Sequence, residues 1–252
     1  MKNPLILATF WLVFSIGVLA GPHLCQASGW RVIPIRLDLS AKTPTGTLRV
    51  INEDPTPLNF QIQATRWMQD ATGKDILEPS DELIFFPKLF TIPAGEERLI
   101  RAGIKVPAST REKSYRLFIE QIPDKGPQGA AQVSLAIRFG VPVFSRPPKI
   151  IPSGKIQGLH IDKGTLKATV INEGNSHFKI RSLKVKGLDA SGKETFSEAS
   201  QGWYVLSGAE RVFDVPLPAD FCSRSKQLAL VAVGDIISLD GLLDLTSEQC
   251  SR

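Results

Sequence analysis

Along this chain of 252 residues, apolar side chains recur at every second position over short stretches, and almost nowhere at the spacing of a helix face. The alternation predicts strands near 31–39, 47–52, 58–69, 83–86, 96–104, 114–122 and 131–144, and again near 155–161, 165–172, 177–188, 202–206, 209–215, 226–236 and 241–246. Turn chemistry separates them: Thr43-Pro44-Thr45-Gly46, Asp54-Pro55, Asp70-Ala71-Thr72-Gly73 and Pro93-Ala94-Gly95 in the first half, with Asp240-Gly241 predicted as the turn of the last hairpin. Seven short strands per ~100 residues is the pattern of an immunoglobulin-like sandwich. The predicted fold is all-β, with two such domains. Arg146-Pro147-Pro148 and Pro152-Ser153-Gly154 interrupt the alternation, because proline cannot donate to a ladder, so the boundary falls there: 28–147 and 148–252. The echo of VINED at 50–54 in VINEG at 170–174 reads as shared turn chemistry.

One segment stands apart. From Ala131 through Val133, Leu135, Ile137, Phe139 and Val141 to Val143, every odd position of thirteen residues is apolar. Extended at ~3.3 Å per residue it would run roughly 40 Å, about twice a usual strand. It reads either as a core strand with a ragged end or as an edge that pairs with another chain, its alternate side chains filling the partner's pockets.

Composition adds a compartment. Residues 1–27 carry Lys2, an apolar run from Leu5 to Ala20 and a small residue at Ala27, the form of a cleaved secretory signal; Gly21, Pro22 and His23 end the run before it could span a membrane. The formal charge is +5, and removing Lys2 with the leader leaves +4, the bases interspersed with acids, which suits local anion contacts rather than wrapping of nucleic acid. With Cys25 gone, Cys222 and Cys250 remain in an oxidising compartment, and a bridge closing the base of the C-terminal hairpin is the natural pairing. A reactive or metal-binding thiol pair is the alternative, for which only His160 and His177 are at hand in the mature chain.

The chemistry of an enzyme is missing. There is no phosphate-cradling glycine loop, no pair of histidines at metal spacing and no nucleophile elbow. The carboxylate pairs Asp81/Glu82 and Glu96/Glu97 fall in loops, where a solvated surface is the plainer account. No catalytic residue, metal or cofactor is expected, and a binding function has to live on a surface, a cleft or a strand edge.

Six stretches of the first domain carry a resemblance: IPIRLDLSA at 33–41, LRVINED at 48–54, RWMQDATGKD at 66–75, FFPKLFTIPAGEERLIRAG at 85–103, REKSYRLFIEQIP at 111–123 and LAIRFGVPVFSRP at 135–147. In this order they resemble the periplasmic chaperones of chaperone-usher pilus assembly, with the flavour of the archaic or alternative branch. VINEGNSHFKI at 170–180 and GWYVLSGAERVF at 202–213 extend the resemblance more loosely into the second domain. It implies two immunoglobulin-like domains in an L, in the periplasm, without membrane insertion of the mature chain. The implied function is to hold pilus or fimbrial subunits by strand addition and deliver them to an outer-membrane usher. Ala131, Val133, Leu135 and Ile137 would then enter the groove of the incomplete subunit, and Glu112, Arg146 and Asp235 would form a buried interdomain ion network.

The resemblance is broken at one place. The family holds the subunit's C-terminal carboxylate with an arginine on the first strand and a lysine late in the long strand. Arg36 takes the first position, but Pro142 stands at the second. Either Arg36 works with another base, Arg101 being a candidate, or the carboxylate is not anchored there. The rival from another class is a secreted immunoglobulin-like structural or adhesive protein, which would more often carry a donor extension before its first strand.

Overall fold

The computed structural model describes residues 29–123 and 136–250; the leader at 1–27 and the donor positions Ala131, Val133 and Leu135 lie outside the described residues. The first half runs β1 (Trp30–Ile33), β2 (Leu37–Ser40), β3 (Thr45–Asn52), β4 (Leu58–Gln69), β5 (Asp75–Pro79), β6 (Leu83–Phe86), β7 (Leu89–Ile92), β8 (Glu97–Ile104), β9 (Lys113–Ile122) and β10 (Arg138–Arg146). They form two sheets, β1-β3-β8-β6 and β2-β10-β9-β4-β5, with β7 also on β4. Leu48, Phe60, Ile100, Leu117 and Val141 interdigitate between them, all withdrawn from solvent.

The second half runs β11 (Gly154–Asp162), β12 (Thr165–Asn172), β13 (Phe178–Leu188), β14 (Glu194–Gln201), β15 (Tyr204–Val205), β16 (Glu210–Pro216), β17 (Gln227–Gly234) and β18 (Ser238–Asp244). Its sheets are β11-β12-β16 and β14-β13-β17-β18, with β15 on β13, around a separate core that includes Leu166, Phe178, Val185, Phe213 and Leu230. Each sheet draws its strands from one side of residues 147–153.

The departures from the predicted strands have physical reasons. The strand expected at 31–39 is divided, β1 pairing with β3 in one sheet and β2 with β10 in the other, with Pro34 at the break. The polar strands β5 and β14 were not predicted: both lie at sheet edges with mostly solvated side chains, so neither face imposes an apolar period. The last hairpin turns at Asp235–Ile237 and not at Asp240-Gly241, which sits inside β18. Gly241 serves packing instead, since a Cβ there would stand 2.9 Å from the Leu159 side chain of β11.

The echoed sequences fold alike. The buried amides of Asn52 and Asn172 each give Nδ2–H bonds to carbonyls across the sandwich, those of Ile92 and Val205 among them, while each Oδ1 accepts the N–H two residues on. The turns at Asp70-Ala-Thr-Gly-Lys74 and Asp189-Ala-Ser-Gly-Lys193 likewise share one design. The aspartate Oδ1 takes the hydroxyl and N–H of the residue two on and the N–H four on. These bonds, led by the hydroxyl's, hold both carboxyls below their ordinary range. Gly73 and Gly192 supply the left-handed backbone, at φ 80° and 81°.

Cys222 and Cys250 are bridged, closing a 28-residue separation around the β17–β18 hairpin. In the chain-entropy description a loop of that size stabilises by about 3 to 4 kcal/mol. Replacing both cysteines with serine should lower the urea-unfolding free energy by about 3 kcal/mol, the same as reduction of the wild type; no change on either treatment would show that the hairpin holds without its clamp.

Candidate functional site

The ladder around β10 is asymmetric. On one side β9 pairs with it from Arg138 to Ser145, and the N–H of Gln121 extends the pairing to the Ile137 carbonyl. On the other side β2 covers only Val143 to Arg146. From Arg138 to Pro142, therefore, one edge of β10 has no strand partner among the described residues, the kind of edge that another chain can extend.

Side-chain parity along this strand is equally specific. Val141 and Val143 are fully buried in the first core. Two and four residues earlier, on the same face, Phe139 and Ile137 are each 37% exposed, with Phe139 resting edge-on against Trp30. The apolar row thus runs out of the core toward the opening between the sheets. The even positions face the other way: Gly140 lies under the Phe118 ring, where a Cβ would meet it at 2.9 Å, Pro142 is buried, and Phe144 enters the contact between the sandwiches.

That contact is extensive. Trp67, Phe144, Tyr204 and Leu206 form a third buried cluster. Gln69 ties β4 to β15, donating to the Tyr204 carbonyl and accepting the N–H of Leu206. Asp75 lies between Arg116 and Arg211 at 3.7 and 3.6 Å. Arg116 lies 3.8 Å over the Trp67 ring, and burial pulls its pKa below the ordinary value, against the charge of Asp75. At the centre, Oε1 of Glu112 accepts both the N–H and, at 2.7 Å, the Nδ1 of His177, whose ring stacks on Phe144 at 3.5 Å.

The site residues named from the sequence fall into place differently from one another. Glu112, Arg146 and Asp235 line one small cleft of about 80 Å³ with His177. Their closest partners are separate, however: Glu112 pairs with His177, Arg146 with Asp38 at 2.9 Å, and Asp235 accepts the N–H of Lys179. Arg36 lies just before β2; continuing the parallel register of Leu37 with Val143 by one residue sets it beside Pro142. Arg101 is remote from it. Its neighbours Ile100 and Ala102 enter the core, so Arg101 faces outward from the opposite sheet, beside Thr47 and Phe86. His177, Trp67 and Tyr204 were not singled out as interface residues, although a histidine beside the echoed VINEG corner was the available signal.

Comparison with known proteins follows the same division. The family model for pili and flagellar-assembly chaperones, PapD N-terminal domain, matches residues 29–151. The probable fimbrial chaperone EcpE of Escherichia coli strain K12 is 24% identical over 199 residues, covering 78% of this chain and 79% of its own. A chain of the CsuC-CsuE chaperone–tip adhesion subunit pre-assembly complex, from archaic chaperone-usher pili of Acinetobacter baumannii, superposes with a TM-score of 0.59 at 20% identity, over 84% of this chain and 98% of that one. One from the SafA pilin–SafB chaperone complex of Salmonella enterica gives 0.55 at 17% identity, over 86% and 98%.

Burial separates the cleft residues in energy. The Glu112 and His177 side chains are 0% and 4% exposed, so His177→Ala strips a buried carboxylate of its ring partner and should cost about 3 kcal/mol. Arg146→Ala breaks a pair whose side chains are 34% and 31% exposed and should cost about 1 kcal/mol or less. Urea unfolding measures both, and equal losses would mean that the two pairs share one network.

Proposed function

The chain belongs to the pili and flagellar-assembly chaperones of the chaperone-usher pathway, and on that premise we propose that it captures a pilus subunit by adding the free edge of β10, with the segment before it, to the subunit's incomplete sheet. It is a periplasmic chaperone for pilus subunits and not an enzyme. The two solved structures named above are a chaperone–tip adhesion subunit complex and a pilin–chaperone complex.

The observation that carries the mechanism is the change of environment along one face of one strand. Val143 and Val141 complete this protein's own core; Phe139 and Ile137 continue the row where that core opens to solvent. Ala131, Val133 and Leu135 continue the same parity, and as a donor strand they would complete a second core, that of the subunit. Each large aliphatic side chain buried in this way contributes roughly 1.5 to 3 kcal/mol before the cost of ordering. The added backbone ladder satisfies N–H and C=O groups that the subunit's own missing strand leaves open. Binding and folding of the subunit are therefore one event, with no nucleotide required.

The two sandwiches serve as the two domains in this proposal, 28–147 presenting the edge and 148–252 bracing it. Phe144 joins these roles, being on the presenting strand and in the contact with Tyr204. Delivery to an outer-membrane usher is the family's next step.

Parity supplies the test. Leu135→Arg and Ile137→Arg should abolish co-purification of the cognate subunit, a loss of at least about 100-fold in affinity from a charge placed in an apolar groove, while the free protein keeps its melting temperature. Ala136→Ser, on the opposite face, should leave capture within about twofold. Val141→Asp, on the same face but in the first core, should unfold the free protein. If Leu135→Arg and Ile137→Arg behave like Val141→Asp, those positions belong to the chaperone's own core and the donor assignment fails.

A further inference from the structure

Where the sandwiches meet, two polar atoms are buried without a hydrogen-bond partner: Nε1 of Trp67 and Oε2 of Glu112. Both side chains are withdrawn from solvent, Trp67 being 2% exposed and the Glu112 side chain 0%. They are also neighbours. Tyr115 and Leu117 enter the first core, so Ser114 turns to the opposite face, and continuing the register of Arg66 with Tyr115 by one residue sets Trp67 across from it. Glu112 stands two residues before Ser114, diagonal to Trp67, where Cα atoms of paired strands are roughly 7–8 Å apart. A buried donor and a buried acceptor left open are costly, and a native fold ordinarily meets them with water or a ligand.

Both side chains line one cleft of about 210 Å³, with Leu206 and Gly208 of the second sandwich among its walls. That is several times the ~30 Å³ share of a single water. The cleft is basic, since Arg66, Arg111 and Lys113 line it against the one carboxylate of Glu112. Arg111 lies against Gly208, where a Cβ would collide with its Nη1, so a guanidinium of the first half reaches a loop of the second. Arg111 forms no ion pair among the described residues. Arg66 feels the charge of Glu82, but Oε2 of that side chain is already held by the Tyr115 hydroxyl and the Lys113 Nζ.

We propose that this cleft binds hydrogen phosphate. The ion matches each open group in the cleft: its charged oxygens accept from Arg66, from Arg111 and from the Nε1–H of Trp67, while its P–OH donates to Oε2 of Glu112, whose Oε1 stays with His177. Glu112 then sets the selectivity. Sulfate has the same shape and charge but carries no proton at neutral pH, so one of its oxygens would face the buried carboxylate with nothing to share. The bound anion joins arginines of the first sandwich to a loop of the second, and by mass action its occupancy stabilises the contact that holds Phe144 and hence β10. This site is independent of how a subunit is held at the strand edge.

Inorganic phosphate and sulfate, titrated into the purified chaperone at neutral pH and constant ionic strength, test the assignment through melting temperature and the indole Nε1–H resonances. Phosphate should raise the melting temperature saturably, shift the Trp67 resonance, identified by its loss in Trp67→Phe, and bind at least about 30-fold tighter than sulfate. Trp67→Phe, which keeps an aromatic ring and removes the N–H, should weaken phosphate about 10-fold, and Arg111→Gln by about as much. Arg111 is exposed, so its variant reads the site even where a change at a buried position lowers stability. Glu112→Gln keeps an oxygen for His177 and offers an amide N–H to the anion, so the preference should invert in favour of sulfate. Arg146→Gln, on the smaller cleft that Glu112 also borders, should leave phosphate affinity within about twofold. Loss of binding in Arg146→Gln would move the open oxygen to that smaller cleft and overturn the site. Equal binding of sulfate by the wild type, or an unchanged preference in Glu112→Gln, would remove Glu112 as the acceptor and the proposal with it. If neither anion shifts the Trp67 resonance, the cleft holds water alone and the proposal fails.

Discussion

The period-two alternation of β10 is the constraint on which the rest of the structure depends. A strand has two faces and two edges, and this one uses all four. One face fills the first core with Val141 and Val143; the other carries Phe144 into the contact between the sandwiches. One edge is paired with β9 throughout, and the other is covered by β2 only from Val143. A shift of register by a single residue would send the valines into the interface and Phe144 into the core, so the free edge and the relative placement of the sandwiches are fixed by the same pattern.

The contact between the sandwiches makes that edge a rigid one. Aromatic rings from both halves pack around Phe144, and polar groups surround the packing: Gln69 bonds the backbone of β15, Asp75 lies between two arginines, and Glu112 meets His177 through Oε1, while its Oε2 and the Trp67 Nε1 are buried without a hydrogen-bond partner. A carboxylate buried as deeply as that of Glu112 is tolerated only because donors on the other sandwich meet it. Separating the halves would break these bonds but admit water to the carboxylate, so the pair specifies how the halves meet more than how tightly they hold. An edge held in this way offers its ladder with little ordering left to do, which favours capture of a flexible partner.

Charge is distributed in keeping with this. The most deeply buried pair, Glu112 with His177, lies between the sandwiches, while exposed pairs are scattered over both halves, those of Arg36 and Arg146 with Asp38 lying where the free edge of β10 ends. Exposed pairs contribute little to stability and can exchange partners at little cost, whereas buried ones cannot.

Much of this was legible in the sequence, because local rules decide it. The alternating apolar positions marked most of the strands, the prolines near 147–153 marked the break between two cores, and the odd-numbered row marked the face by which Val141 and Val143 enter the first core. The polar edge strands β5 and β14 left no apolar period to detect, and Asp240-Gly241 carried turn chemistry that packing against Leu159 put to another use. The pairings of charged groups were beyond the sequence altogether. Asp38 meets Arg146 because β2 crosses from one sheet to the other and lies parallel to β10, and Glu112 meets His177 because two separate sandwiches dock. An ion pair depends on distances of a few ångströms between residues that the chain holds far apart, and only the tertiary fold sets those distances.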